Sequence, residues 1–420
     1  MGTRLTRAQR VTLAVVCAAA VSTIYAIQPV LTVAGAELGL SPQSSGVLIA
    51  AGQIGYFAGL VLLVPLGDLV NRRRLIGGML ALTSVGAAIT AVAPTGVVAV
   101  AGLAVAGVFA VVVQVTVAYV AAVSAPGERG RNIGAVTSGV VIGILGVRVV
   151  AGLLGDTLGW RAAYAALAVL CATLAVLTRR VLSPDVRTRD NRYIQVLRST
   201  GRLVTTDRLF LSRGSITFFV FASFGSLWSG LALPLAAHPW SLGTTEIGLF
   251  GLFGLAGALG AGRAGRWADA GHAQRVTGSA LLMLAVSWLF IARTGTAVLL
   301  VVGIVLLDFA VQAVHVSSQH VLTTAHPDRA GSVIGAYMAF YSLGSALGAV
   351  TTTWAFTVWG WWASCLFGAL YALAGFAVWA AAQLARVGVT ATPESPWAPV
   401  GCAVAHRQQM SRHSGHGVSP

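Results

Sequence analysis

The sequence predicts an all-α membrane protein of twelve transmembrane helices in two six-helix pseudo-symmetric repeats, and three observations carry that prediction. Apolar residues make up 56% of the chain and charged residues 9%, with a mean hydropathy of +0.82, whereas roughly a quarter of a soluble domain is charged. The apolar residues fall into twelve runs, each close to the ~20 residues that cross a bilayer. The chain also repeats itself at a constant offset. Asp68 and Arg74 recur as Asp269 and Arg275, 269 − 68 = 201 residues later, and the same offset relates Pro126 to Pro327, Gly134 and Ala135 to Gly335 and Ala336, and Gly159 and Trp160 to Gly360 and Trp361. Self-similarity at one period across separated loops marks two copies of a unit of about 200 residues.

In chain order, Arg4, Arg7 and Arg10 precede an apolar run from Val11 to about Ala34. It is longer than the ~7 to 15 residues of a signal-peptide core, so it is expected to stay as the first span. The second run, near 44 to 66, stops at Asp68, and Arg72, Arg73 and Arg74 follow, as expected where a helix meets water and anionic headgroups. Further runs lie near 75 to 94, 97 to 123, 133 to 155 and 161 to 178, then near 213 to 237, 246 to 264, 275 to 292, 296 to 323, 333 to 356 and 361 to 384. The expected organisation is therefore an N-terminal repeat (1–178), a basic cytoplasmic linker (179–212), a C-terminal repeat (213–385) and a disordered cytoplasmic tail (386–420).

The net charge of +15 comes entirely from arginine. With a cytoplasmic N-terminus, nearly all of these arginines fall in inside loops, the linker or the tail, only Arg161 and Arg293 lie outside, and Arg148 lies within a span. That asymmetry sets both termini in the cytoplasm and explains the charge without nucleic acid. Trp160, Trp240, Trp359, Trp361 and Trp362 line the expected outer edge as an aromatic belt. Cys17, Cys171 and Cys365 read as small buried hydrophobes. His406, His413 and His416 have no spacing that closes a metal site, and no metal or cofactor is expected.

Twelve spans in two parallel repeats, a long basic central linker and a Gly/Asp/Arg loop after the second span, echoed after the eighth, resemble the major facilitator superfamily. The resemblance covers residues 10 to 385 and is carried by Asp68, Arg72 and Arg73, with Gly265 and Asp269 in the second copy; in the first copy, whose loop begins at Gly67, Val64 and Asn71 stand where that family usually has glycines. It implies the major facilitator fold, alternating access, and a cytoplasmic gate built from this loop. Within the family the chain is most similar to bacterial twelve-helix drug/proton antiporters. It departs from them in the fifth span, where Gly139, Gly143, Gly146 and Gly152 are present, the usual proline is absent and Arg148 is added. An arginine there and a His/acid pair on the tenth span are similar in placement to sugar/proton symporters.

Intramembrane polar groups point to the chemistry. On the tenth span Asp308, Gln312, His315 and Gln319 are spaced 4, 3 and 4 apart, which puts them within about 60° of one another on one face. An acid inside a membrane is costly enough to mark a functional site. Gln114 stands 315 − 114 = 201 residues before His315, so both are expected near the axis between the repeats. Tyr25 and Gln28 in the first span, Trp228 in the seventh, and Tyr337 and Tyr341 in the eleventh complete the expected cavity. Asp308, His315 and Arg148 are the expected proton-coupling groups. Read together, these features predict a non-enzymatic secondary transporter of the cell membrane that works as a monomer. Its partners are a small-molecule substrate, protons and the lipid bilayer. Efflux of a small amphipathic compound is the first expectation and uptake of a small metabolite the alternative; a membrane receptor or enzyme is a remote third.

Overall fold

The computed structural model describes residues 5–125, 128–183, 205–259, 266–326 and 330–390, with isolated linker positions 193, 198, 201 and 202. Its apolar helices are α1 (Arg7–Tyr25), α2 (Gly46–Leu62), α3 (Arg72–Ala91), α4 (Gly96–Val123), α5 (Arg129–Leu158), α6 (Trp160–Val181), α7 (Arg208–Ala236), α8 (Thr244–Leu255), α9 (Ala270–Ile291), α10 (Ala297–Ala325), α11 (Val333–Trp359) and α12 (Trp361–Ala385). Ten are long and apolar enough to cross a membrane; α2 and α8 are shorter. No strand occurs among the described residues.

Local chemistry sets the helix ends. Thr6 and Gln9 form a capping box at the start of α1. The Asn71 side chain accepts the Arg74 amide ahead of α3, and Asp207 accepts that of Phe210 ahead of α7. Pro65 lies in a single 3-10 turn, Val64–Asp68, that follows α2, because proline cannot supply the amide that would continue an α-helix. Two glycines make the turns from α5 to α6 and from α11 to α12: Gly159 at φ 83° and Gly360 at φ 82°. They stand 360 − 159 = 201 residues apart, so the repeat preserves a left-handed backbone position as well as a sequence match.

Two spans differ from expectation. The first does not run on to Ala34; α1 ends at Tyr25, a turn covers 26–30, and a short helix resumes at Leu31–Glu37. Pro29 is the reason, since it lacks an amide proton and disfavours helical geometry at the preceding residue. Gln28 therefore belongs to a turn and not to a helix face. In the eighth span, helical segments Thr244–Leu249 and Gly251–Leu259 meet at Phe250, and residues 260–265, including Gly265, lie outside the described residues, as do Arg187, Arg189 and Arg192 of the linker and the tail 391–420.

The bundle closes by small residues at helix crossings, as expected where lipid offers no hydrophobic drive between helices. A Cβ on Gly143 of α5 would lie 2.7 Å from Ala18 Cα of α1, and one on Gly344 of α11 would lie 2.9 Å from the Phe218 carbonyl carbon of α7. These two glycines are again 344 − 143 = 201 apart. Between the repeats, α2 packs on α11 and α5 on α8. Gly46 abuts the Ala349 carbonyl and Gly248 the Arg148 carbonyl, so the two seams are built alike.

Candidate functional site

A cavity of about 950 Å³ lies between the repeats. Asp308, Gln312, His315 and Gln319 all face it from α10, as do Tyr25 of α1, Gln114 of α4, Arg148 of α5 and Tyr341 of α11. It extends to Ile133, Gly134, Thr137 and Ser138 near the start of α5 and to Ile334 and Met338 at the start of α11. Those ends carry the arginine-rich loops. The opposite end is shut by the two interrepeat seams. There, Asp156 of α5 accepts the amides of Thr244 (3.0 Å) and Thr245 (2.7 Å) at the first turn of α8, and the Thr244 hydroxyl lies 2.7 Å from both Asp156 Oδ1 and the Gly152 carbonyl.

Arg148 is 2% exposed and Asp308 6%. Neither is paired directly with the other. Arg148 donates through Nε to Gln28 Oε1 at 3.0 Å, and its guanidinium stacks over Trp228, with Cζ 3.7 Å from the ring centroid. The same indole donates through Nε1 to Asp308 Oδ1 at 3.1 Å. Arg148 Nη1 and Nη2 and Asp308 Oδ2 are buried without a hydrogen-bond partner. One aromatic ring thus separates two opposite charges and contacts both, through its face and through its edge. Gln28 and Trp228 line a small void of about 10 Å³ beside Arg148 rather than the large cavity.

His315 faces the cavity but is tied elsewhere. Gln319 Nε2 donates to its Nε2 at 2.9 Å, and Nδ1 lies 3.1 Å from the Tyr337 hydroxyl. An amide donor on Nε2 requires the Nδ1–H tautomer, leaving the tyrosine oxygen to accept. Tyr337 accordingly lies behind His315, fully buried, rather than on the cavity wall. Phe221 packs edge-on to His315 at 5.3 Å and against Tyr341 at 4.0 Å. The hydroxyls of Tyr25 and Tyr341 are hydrogen-bonded across the repeats. Gln114 donates to the Tyr56 hydroxyl at 3.2 Å.

In the loop after α2, Arg72 is largely buried and donates through Nε to the Gly67 carbonyl at 3.0 Å. Arg73 donates to the Arg179 carbonyl. The side chains of Asp68 and Asp269 lie outside the described set; the backbone of Asp269 belongs to a π-helical turn, Ala268–His272, that leads into α9 and overlaps its first residues.

Sequence reasoning missed Gln53 and Tyr56 of α2, both cavity-lining, although two polar groups three apart in an apolar run carry the same signal as the α10 stripe. It also missed the glycines of the eighth span's second segment, Gly251–Leu259. A Cβ on Gly254 would stand 2.6 Å from Asp308 Oδ2, one on Gly257 2.6 Å from Asp308 Cβ, and one on Gly251 3.2 Å from Arg148 Cβ. Only a bare backbone lets α8 lie against both charged side chains.

Two pseudo-symmetric helical repeats that enclose one largely apolar cavity carrying a buried arginine and a buried carboxylate, closed at one end of the bundle, define a membrane carrier. The chain belongs to the Major Facilitator Superfamily, whose family model matches residues 11–349 and 214–407. It is 39% identical over 362 residues to the transporter YgaY of Escherichia coli O157:H7, covering 86% of this chain and 92% of that one. It is 33% identical over 368 residues to the transporter SCO4007 of Streptomyces coelicolor, covering 87% and 85%. Among solved structures, a bacterial homolog of the human lysosomal transporter Spinster, in an inward-facing and occupied conformation, aligns with a TM-score of 0.75 at 14% identity, over 92% of this chain and 98% of that one. The protein is a multi-pass membrane transporter.

Proposed function

We propose that the protein is a proton-coupled, alternating-access transporter of the cell membrane, a monomer with both termini in the cytoplasm, and that Asp308 carries the proton. The observation that supports this most is Asp308 itself: a buried carboxylate on the cavity wall with Oδ2 unpartnered, where a proton or a cargo group is the natural occupant. Arg148 and His315 assist by charge and by hydrogen bonding, and Gln312, Gln319, Gln114, Tyr25 and Tyr341 bind cargo. The positive-inside rule makes the open end of the cavity cytoplasmic. The loop from Gly67 to Arg74, with its second copy around Asp269, acts as the cytoplasmic gate; Asp68→Asn should slow turnover with binding intact, and equal loss of both would discard that role.

Export of a small amphipathic compound is the direction that the similarity to drug/proton antiporters supports. A second reading, uptake by proton symport, is favoured by one observation: Arg148, whose Nη1 and Nη2 have no hydrogen-bond partner, lines the same cavity as Asp308, so an anionic cargo and a proton would load together. The test uses a cargo found by a toxicity panel in an efflux-deficient host. In proteoliposomes Asp308→Asn should abolish transport driven by an imposed pH gradient and keep cargo-for-cargo exchange, because a permanently neutral amide resembles the protonated acid. Gradient-driven transport persisting in that variant would remove Asp308 from coupling, and the sign of the gradient that drives accumulation distinguishes export from uptake.

A further inference from the structure

The guanidinium of Arg148 is committed on two sides and vacant on the third. Nε is taken by Gln28 at 3.0 Å, and one face is covered by Trp228 at 3.7 Å, with Tyr25 at 5.7 Å. The Nη1–Nη2 edge has no partner, although the residue is 2% exposed and faces the cavity. Leaving charged donors buried and unsatisfied is costly, and the stack and the Gln28 contact hold the fork in a single orientation. A planar fork of two parallel N–H groups matches a carboxylate bidentately.

We propose that the Nη1–Nη2 edge of Arg148 is the anion subsite of the cavity, and that the cargo is a small apolar acid bound through its carboxylate. The inference rests on the cavity being the cargo site. Charge balance sets the valence. Among the described residues, the ionisable groups facing the cavity are Arg148, Asp308, His315, Tyr25, Tyr56 and Tyr341; with Asp308 ionised and the His and Tyr side chains neutral, the wall they form is neutral. With Asp308 protonated it carries one positive charge, which one carboxylate cancels and a phosphate dianion over-compensates. Binding of the acid and protonation of Asp308 therefore favour one another, the loading pattern of the symport reading and not of proton antiport. The body of the cargo meets apolar wall from Val21, Ile24, Val113, Ile144, Leu145 and Phe224.

The test is binding to the full-length protein in lipid nanodiscs, read by calorimetry and thermal unfolding, with matched probes on two ring sizes: phenylacetate and 1-naphthylacetate, their amides, and the corresponding amines. The acids should bind and raise the unfolding temperature, and the amides and amines should not. Arg148→Lys, which keeps the charge and loses the fork, should weaken acid binding by about 10-fold or more, and Arg148→Gln should abolish it. Asp308→Asn should tighten it. Amides binding as well as acids, acid affinity unchanged in Arg148→Lys, or no binding by either acid would overturn the subsite. If Arg148→Gln does not fold, the lysine variant decides. Persistence of Asp308-dependent, gradient-driven flux without carboxylate binding would discard the subsite and leave the transport reading standing.

Discussion

The guanidinium of Arg148 stacks on the indole of Trp228 with Cζ 3.7 Å from the ring centroid. The indole is thereby fixed so that its N–H reaches Asp308 Oδ1 at 3.1 Å. A cation and an anion from opposite repeats are linked through one aromatic ring instead of collapsing into an ion pair. Direct pairing would satisfy both charges and leave little to exchange. Separation leaves Asp308 Oδ2 and the Arg148 Nη1–Nη2 edge without a partner while desolvation is partly offset by the stack and the hydrogen bond.

Trp228 can be dissected accordingly. Trp228→Phe keeps a ring under Arg148 and removes only the N–H, a charge-assisted hydrogen bond worth about 1.5–3 kcal/mol. It should fold and lower pH-gradient-driven flux by roughly tenfold or more. Trp228→Ala also loses the stack and should unfold at lower temperature. Wild-type flux in Trp228→Phe would mean that the indole N–H does not serve Asp308.

The glycines of α8 give a sharper contrast. Gly254→Ala places a methyl 2.6 Å from Asp308 Oδ2, whereas Gly146→Ala in α5 meets nothing within 4 Å. The first should cut flux severely, because α8, Trp228 or the carboxylate must move; the second should be neutral, or slightly stabilising through helix propensity. Flux and thermal unfolding measured together would check both. Equal behaviour of the two variants would show that α8 does not need to lie against Asp308.

These features explain what was legible in the sequence. The α10 stripe was readable because spacings of 4, 3 and 4 fix a common face in any helix, and the architecture was readable because the offset of 201 recurs in separated loops. Relations between helices were not. Trp228 stood as one aromatic among several on α7, and nothing local says that its ring parts Arg148 from Asp308. The α8 glycines read as tolerated small residues until the backbone they admit is known. The break after Tyr25 was available, since Pro29 interrupts the first apolar run, but the hydropathy of the run masked it.

At the closed end of the bundle Asp156 ties the two repeats together. Its carboxylate, on α5, accepts the Thr244 and Thr245 amides at the first turn of α8, so an N-cap that normally lies within one helix here joins the two repeats. Opening this end must break the cap. A capping carboxylate contributes roughly 0.5–2 kcal/mol, so Asp156→Ala should raise the population open at this end by about 2- to 30-fold. Ile247, one turn into α8 and 5% exposed beside Arg148 and Trp228, is the reporter. Native Cys17, Cys171 and Cys365 are buried, so in a Cys402→Ser background Ile247→Cys supplies the one accessible thiol when this end opens. A membrane-impermeant maleimide added outside cells should label it faster in Asp156→Ala by that factor, and more slowly again when an acid restores the cap as Asp156→Glu. Unchanged labelling in Asp156→Ala would show that the glycine seams hold this end without the cap.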